Sequence, residues 1–366
     1  MAAFRTTERT ETTGSRIAYA ELDAWLCKAF QQAGMRAPEA TVTAQVLADA
    51  DLRGVFSHGS VRFPDYAQLV RQGRWKAGAE PELLFRSGAL VLLEGGHGVG
   101  PYLAMKAMEE ALRIAEVQGA AWVWVRNGGH FGPAAAFSTR AAREGFIGLA
   151  FTNSSPAMAA WGGRRAVLGA NPWSIAIPRS STAWPLVLDI ANTVVARGRV
   201  KAAAARGEAL EAGWAIDEEG RTTTDPVAAL MGSLLPVGGH KGYAIAFMIE
   251  ALVGAVSGSA MSLAVGAPVA GAGGHQGLGQ VFAAIKLSAL LSLDDMEARI
   301  EQLIQSVRSS GDAATTQEIL VPGEREARVA EEQMRLGIDL PTEVRAAIVR
   351  GAELVGLTPP AACTVG

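Results

Sequence analysis

Cysteine is nearly absent, with only Cys27 and Cys363 in 366 residues, far apart and in neither metal-binding nor redox spacing. A disulfide-stapled fold is excluded on that count. Charge is also sparse. Charged residues make up 19% of the chain and the net charge is −3, with both signs interspersed. No basic run or aromatic-basic interleaving is found, so nucleic acid is not an expected partner. A signal peptide is missing too: Met1 to Arg16 is polar and reads as a disordered tail. The one long stretch without Asp, Glu, Lys or Arg is Ala251 to Ile285. It exceeds the roughly 20 apolar residues of a membrane span. However, Gly254, Gly258, Gly266, Pro268, Gly271, Gly273 and Gly274 interrupt it, and His275 and Gln276 add polarity. A buried helix leading into a Gly/Ala loop is expected, with no membrane association and a cytoplasmic location.

Several catalytic signatures are missing as well. No G-x-S-x-G elbow is present, which argues against a serine hydrolase. No histidine is paired at ligand spacing with another His, Cys or carboxylate cluster, so no metal site is expected. Gly95-Gly96-His97-Gly98-Val99-Gly100 follows a strand and precedes a helix, but Pro101 stands where G-x-G-x-x-G requires its last glycine. It reads as a tight structural turn, and His97 as non-catalytic. Gly238-Gly239-His240-Lys241 lacks Walker spacing, although glycine, His and Lys at a helix start suit an anion.

What is present is the chain of a globular enzyme, 49% apolar and long enough for two or three structural units. Apolar spacing predicts helices over Tyr19 to Ala33, Pro38 to Leu52, and Pro64 to about Gln72, the last capped by Ser57 or Ser60. A hairpin is expected between Leu83 and Glu94, then helices over Tyr102 to Val117 and Pro133 to Glu144. Strands are expected at Ala121 to Val125, Phe146 to Thr152, Trp173 to Ile177, Pro185 to Ile190 and Val281 to Ile285, and helices over Lys201 to Gly213, from Tyr243 to Val256, and over Asp294 to Ser309 and Glu324 to Leu336, with Glu343 to Val355 closing the ordered part. Connections in the middle of the chain are too short for helices, which favours a mixed, mainly antiparallel sheet over repeated βαβ units.

All five histidines neighbour a glycine. The centre is Arg126-Asn127-Gly128-Gly129-His130-Phe131-Gly132, at the end of a strand. On residues alone two readings of His130 stand: a group exchanging protons beside a ligand, or one that satisfies a turn carbonyl. Arg62 and Tyr66 lie four apart on the expected third helix, with His58 in the preceding turn. They either converge on one spot or form a solvated helix end. Asp189, between apolar neighbours, calls for a partner. Histidine for the proton, arginine for an anionic substrate and glycine-rich loops for a phosphate-bearing cofactor suit reduction of a carbonyl or imine beside a carboxylate.

Six motifs occur in order: Asp51-Leu52-Arg53-Gly54 with Ser57-His58-Gly59; Asn127 with His130-Phe131-Gly132; Gly169 with Asn171-Pro172; Asp189 with Val195-Ala196-Arg197-Gly198; Leu235-Pro236 with Gly238-Gly239-His240-Lys241-Gly242; and Pro322-Gly323-Glu324. Together, from about Tyr19 to Leu340, they resemble the malate/L-lactate dehydrogenase family of NAD(P)-dependent oxidoreductases, which includes ureidoglycolate and sulfolactate dehydrogenases and cyclic-imine carboxylate reductases. The resemblance implies an α/β fold with a non-Rossmann cofactor domain, its sheet largely antiparallel, and a helical domain formed by both chain ends. The expected divisions are a tail at 1–16, an N-terminal helical part at 17–80, the cofactor sheet at 81–285, and a C-terminal part at 286–366 packed on the N-terminal helices. It further implies a homodimer with active sites near the subunit interface.

Carried over by motif, His58 and His130 are the acid/base candidates, with His58 placed first because Arg62 lies one turn away. Ser57, Arg62 and Tyr66 would hold a small carboxylate substrate. NAD or NADP, with NADPH favoured, would be lined by Ser154, the strand end Leu188, Asp189, Ile190, Ala191, Asn192, Thr193 and Val194, by His240 and Lys241, and by Gly323, Glu324 and Arg325. Arg164, Arg165 and Arg197 are candidate cations beside the ribose. Two positions depart from the family pattern: Gly128, where many relatives carry Ser, and Lys286, where Asp is common. The expected reaction is reversible reduction of a 2-oxo acid. The alternatives are a cyclic ketimine reductase and, in another class, a non-catalytic nucleotide-binding protein.

Overall fold

The computed structural model describes residues 16–179, 184–267, 274–311 and 318–364. Residues 1–15 of the expected tail, and Pro268, Gly271 and Gly273, lie outside the described residues. At the N-terminal end, α1 (Tyr19–Gln32) buries Leu22, Leu26, Ala29 and Phe30, the one-sided spacing of an amphipathic helix. Next, α2 (Ala37–Leu52) starts with Pro38 in its first turn. Two 3₁₀ turns, Phe56–His58 and Ser60–Arg62, lead into α3 (Phe63–Arg71). The expected serine cap on α3 is not formed. Arg62 occupies the N-cap without a side-chain bond, because Ser60 is engaged by Asp51 and Ser57 lies against His58.

The hairpin β1 (Glu82–Ser87) and β2 (Leu90–Glu94) comes next, then α4 (Gly100–Gln118) and β3 (Ala120–Gly128). They are followed by α5 (Ala135–Arg143), β4 (Phe146–Thr152), β5 (Met158–Ala159), β6 (Ala166–Leu168), β7 (Trp173–Ile177) and β8 (Leu186–Ile190). Then come α6 (Arg197–Arg206), β9 (Ala215–Ile216), β10 (Thr222–Thr223), α7 (Pro226–Met231), β11 (Ser233–Leu234) and α8 (His240–Glu250), which runs on into a π-turn at Ala251–Ala255. The chain finishes with β12 (Leu278–Lys286), α9 (Leu293–Arg308), α10 (Glu324–Leu336), α11 (Thr342–Val355) and α12 (Ala361–Thr364). The helix expected over Lys201 to Gly213 is displaced. It begins at Arg197 and stops at Gly207, whose φ of 67° gives the left-handed C-cap that ends a helix cleanly.

The main sheet has the order β1-β2-β3-β12-β4-β7-β8. Every neighbouring pair is antiparallel except β2 with β3, which α4 connects as a crossover helix. This is a mixed α/β fold with a mostly antiparallel sheet. Strand β12 is central and pairs on both sides. Leu278 to Ala284 are all buried, so apart from Gln280 its sequence is continuously apolar or small instead of alternating. On one face Phe131, Phe137 and Phe282 pack with centroids 5.0 to 5.8 Å apart. The other face carries Trp122, Trp124, Phe151 and Trp173, half-buried against Ile249 and Val253.

Both chain ends share one core. Ile17 and Ile338 exchange backbone hydrogen bonds of 3.1 and 2.7 Å. Trp25 and Phe30 meet Phe63 edge-on at 5.3 and 5.1 Å, and Val344 and Ile348 of α11 join the same cluster. This packing rigidly seats α3 and the turns before it, which carry His58, Arg62 and Tyr66.

Candidate functional site

The turn that presents His58 is built around Asp51, fully buried in the last turn of α2. Its Oδ2 accepts hydrogen bonds from the Ser60 amide at 2.8 Å and the Ser60 hydroxyl at 2.5 Å. A Cβ on Gly59 would lie 1.8 Å from Asp51 Oδ1, so only glycine lets the chain pass here. Burial pushes the Asp51 carboxyl up to about 7, and the two Ser60 bonds pull it partly back. Held this way, His58 places Nδ1 2.9 Å from Ser57 Oγ. Burial, then the Arg62 charge, push the His58 imidazole down to about 4. Arg62 donates from Nε to the Ser57 carbonyl at 2.8 Å, while its Nη1 stands 3.8 Å from Asp65 Oδ2.

From the other side β3 ends in the glycine turn that delivers His130. The Gln280 amide donates to the Gly129 carbonyl at 2.6 Å, and the His130 amide donates to Gln276 Oε1 at 2.9 Å. The two imidazole rings stack with centroids 5.7 Å apart and planes 19° from parallel. Tyr66, 2% exposed and 4.6 Å from the Trp75 ring, brings its hydroxyl to 2.5 Å from His130 Nδ1. Burial, then Arg62 and His58, hold His130 well below the usual histidine range. Ser57, His58, Arg62, Tyr66 and His130 therefore meet at one place. His58 and His130 are neutral near pH 7, with an arginine charge close by.

His97 lies elsewhere, stacked at 4.0 Å on His275 in a turn with φ of 60°, and its carbonyl accepts from the Lys76 amide. This is the structural turn expected from the failed fingerprint. Of the other expected residues, Ser154 and Asn192 lie together just past the end of β8, whereas Gly323 packs near its start. Asp189 finds its partner in the Ala135 amide, 2.9 Å away at the start of α5, where a helix favours an anion. Desolvation of the carboxyl pushes it up to about 7, the Ala135 bond opposing. Ser154 Oγ accepts from the Ala170 amide, and Asn192 Nδ2 donates to the Asn171 carbonyl at 2.6 Å. Asn192 Oδ1 and Thr193 Oγ1 are buried with no hydrogen-bond partner among the described residues. Gly323, at φ of 84°, presses on Val187 of β8, and Val187 donates to the Pro322 carbonyl. Glu324 is used internally, accepting from the Val321 amide and from Arg308 and Arg328, while Arg325 is exposed. His240 and Lys241 are exposed at the start of α8, with His240 6.1 Å from the Trp161 ring. Arg164, Arg165 and Arg197 are exposed, and Arg197 donates to the Leu230 carbonyl.

Four contributors carry no sequence signal strong enough to find them. Asp51 sits inside a motif but is marked only by distance from Ser60. Gln276 and Gln280 lie in the charge-free stretch, where their polarity alone is visible. Glu250, at the apolar C-terminus of α8, accepts from Asn153, Asn171 and the Ser262 amide, tying the ends of β4 and β7 together.

Residues 17–349 match the family model described as malate/L-lactate dehydrogenase. The chain is 37% identical over 311 residues to the L-sulfolactate dehydrogenase of Methanothermobacter thermautotrophicus, covering 84% of this chain and 88% of that protein. It is 39% identical over 243 residues to the (2R)-3-sulfolactate dehydrogenase (NADP(+)) of Chromohalobacter salexigens, covering 66% and 72%. The solved structure of the delta1-piperideine-2-carboxylate reductase from Pseudomonas syringae superposes with a TM-score of 0.83 at 28% identity, covering 93% of this chain and 99% of that one.

Proposed function

The chain belongs to the malate/L-lactate dehydrogenase family of oxidoreductases, and on that premise we propose that it reduces a small 2-oxo acid reversibly to the 2-hydroxy acid with NAD(P)H, through histidine proton transfer. The observation that carries this reading is the pair of stacked, neutral imidazoles 5.7 Å apart beside Arg62. With Nε committed to the Ser57 carbonyl and Nη1 held only loosely, 3.8 Å from Asp65 Oδ2, the guanidinium can turn its terminal nitrogens to the substrate carboxylate as a bidentate clamp. That clamp fixes the carbonyl over the imidazoles. One histidine then passes the proton of one ring nitrogen to the oxygen as negative charge develops there and takes a replacement on its other nitrogen, which for His58 comes from solvent through Ser57, exposed beside its Nδ1.

The residues at the end of β8 fit a dinucleotide. Asn192 Oδ1 and Thr193 Oγ1 are buried polar atoms without partners among the described residues, Gly323 lets the chain run close to the strand, and Lys241 offers a cation at a helix N-terminus. Ser154, Leu188 to Val194, His240 and Gly323 to Arg325 would hold it. When bound, the nicotinamide supplies the hydride that reduces the carbonyl carbon. A homodimer through α8 is part of the same reading. Ile245, Phe247 and Met248 are 40%, 52% and 64% exposed there, and Met261 and Leu263 extend the apolar face.

The test is initial rates with NADH and with NADPH against pyruvate, oxaloacetate, sulfopyruvate and piperideine-2-carboxylate. Turnover of a 2-oxo acid that falls at least about 100-fold in His58→Ala or in His130→Ala is the expected result. Turnover of the cyclic imine alone would move the assignment to imine reduction. Nucleotide binding without turnover of any of the four would overturn the enzymatic reading.

A further inference from the structure

Two contacts to a single atom carry more than the family pattern does. His130 Nδ1 faces the Gly132 amide at 3.3 Å and the Tyr66 hydroxyl at 2.5 Å. A backbone amide can only donate, and the Gly132 amide, shared between Nδ1 and the Tyr66 oxygen, leaves Nδ1 to offer its lone pair and carry no proton. The Tyr66 hydroxyl, able to act either way, must then donate to Nδ1 as well. We propose that Tyr66 is a positioning residue which, with the Gly132 amide, locks His130 as the neutral tautomer protonated on Nε2, so that the ring presents an N–H donor to the reacting oxygen.

The surroundings hold the donors in place. Tyr66 is 2% exposed, and its ring is backed by Trp75. Gly132 has φ of 87°, and a Cβ there would come within 2.8 Å of Val46, so the amide reaches Nδ1 from a conformation that favours glycine. The second nitrogen of an imidazole takes its protonation from the bond made by the first. A proton added at Nδ1 would confront the Gly132 N–H directly and would require the tyrosine to turn its hydrogen away. The charged groups around the ring act in the same sense: Arg62 and His58 disfavour a cation here, and Asp65, which faces Tyr66, is offset by Arg62, Lys201 and Arg350. Tyr66 therefore acts through His130, in place of the substrate-holding part that the family resemblance implies for it.

The two histidines thus divide the work in the proposed carbonyl reduction, on which this consequence rests. His130 polarises the oxygen through a fixed neutral N–H. His58, with Ser57 at its Nδ1, is the ring able to reload its proton from solvent.

The experiment uses the full-length protein labelled with ¹⁵N in its histidine rings, with the His130 signal identified by its loss in His130→Asn. Long-range ¹⁵N–¹H spectra between pH 5 and 8 are expected to show His130 neutral, with Nε2 protonated throughout. Tyr66→Phe keeps the ring in its pocket and removes the donor. Its His130 signal is expected to shift towards a mixture of tautomers, with kcat down on the order of 10-fold to 100-fold and KM nearly unchanged. A wild-type signal with the proton on Nδ1, or a Tyr66→Phe signal identical to wild type, would overturn the assignment. The spectra need no substrate. Absence of turnover alongside the expected tautomer would therefore remove the proposed reaction and leave the role of Tyr66 standing.

Discussion

Replacing Asp51 by Asn tests the physical basis of the turn that carries His58. The buried carboxyl has a pKa of about 7 in the folded chain, against roughly 3.9 when unfolded. Between these values the unfolded chain has released a proton that the folded chain retains. The group's contribution is therefore fully present below the unfolded value and is lost as pH rises through the folded one. About 3 pKa units at 1.36 kcal/mol each amount to about 4 kcal/mol. Asparagine does not titrate, and its side-chain oxygen can accept the same two bonds from Ser60. His58 and Asp189 titrate in or near this range but are common to both proteins, so they largely cancel in the difference. The stability of Asp51→Asn relative to wild type should thus improve by about 4 kcal/mol between pH 4 and pH 8. Urea unfolding at fixed protein concentration, followed by circular dichroism at each pH, measures it. Parallel stability curves, within about 1 kcal/mol of each other at all pH values, would show that Asp51 ionises in the fold as readily as in solution and would refute the reasoning.

Three further outcomes follow from the same geometry. Gly59→Ala places a methyl 1.8 Å from Asp51 Oδ1, and a thermal or urea melt should show a loss of at least about 2 kcal/mol. Arg62→Ala should raise KM for the 2-oxo acid by about 10-fold to 100-fold, the worth of a charge-assisted contact, in steady-state kinetics; an unchanged KM would place the carboxylate elsewhere. Met248→Glu on the exposed face of α8 should shift the mass measured by light scattering from dimer to monomer, and a wild-type monomer would remove the interface.

The elements that announced themselves are those whose signal is local. Leu22, Leu26 and Phe30 fix α1 by spacing alone, and the short links between β-rich segments foretell an antiparallel sheet. Errors fall where a tertiary partner or a single residue outweighs propensity. Ser60 is a good helix cap by composition, but Asp51, buried beneath it, takes both its amide and its hydroxyl. The alanine run after Lys201 reads as helix up to Gly213, yet Gly207 adopts the left-handed conformation and ends it.

Much the same separation governs the site. That His58 and His130 belong to one place was legible from motifs in order along the chain. That their rings stack was not, because it depends on α3 being packed by α11 from the far end of the chain while β3 is held by β12. Pairwise chemistry was still less legible. A tyrosine four residues after an arginine looks like a second ligand for the same substrate, and spacing cannot distinguish that from a residue turned inward. The decisive feature is the backbone amide of Gly132, which has no side-chain identity to be read at all. Because that amide can only donate, it limits what both Tyr66 and His130 can do. The glycines around His130 thus have a second use besides room for a ligand: one of them points a fixed dipole at the imidazole and so selects which of its nitrogens carries the proton.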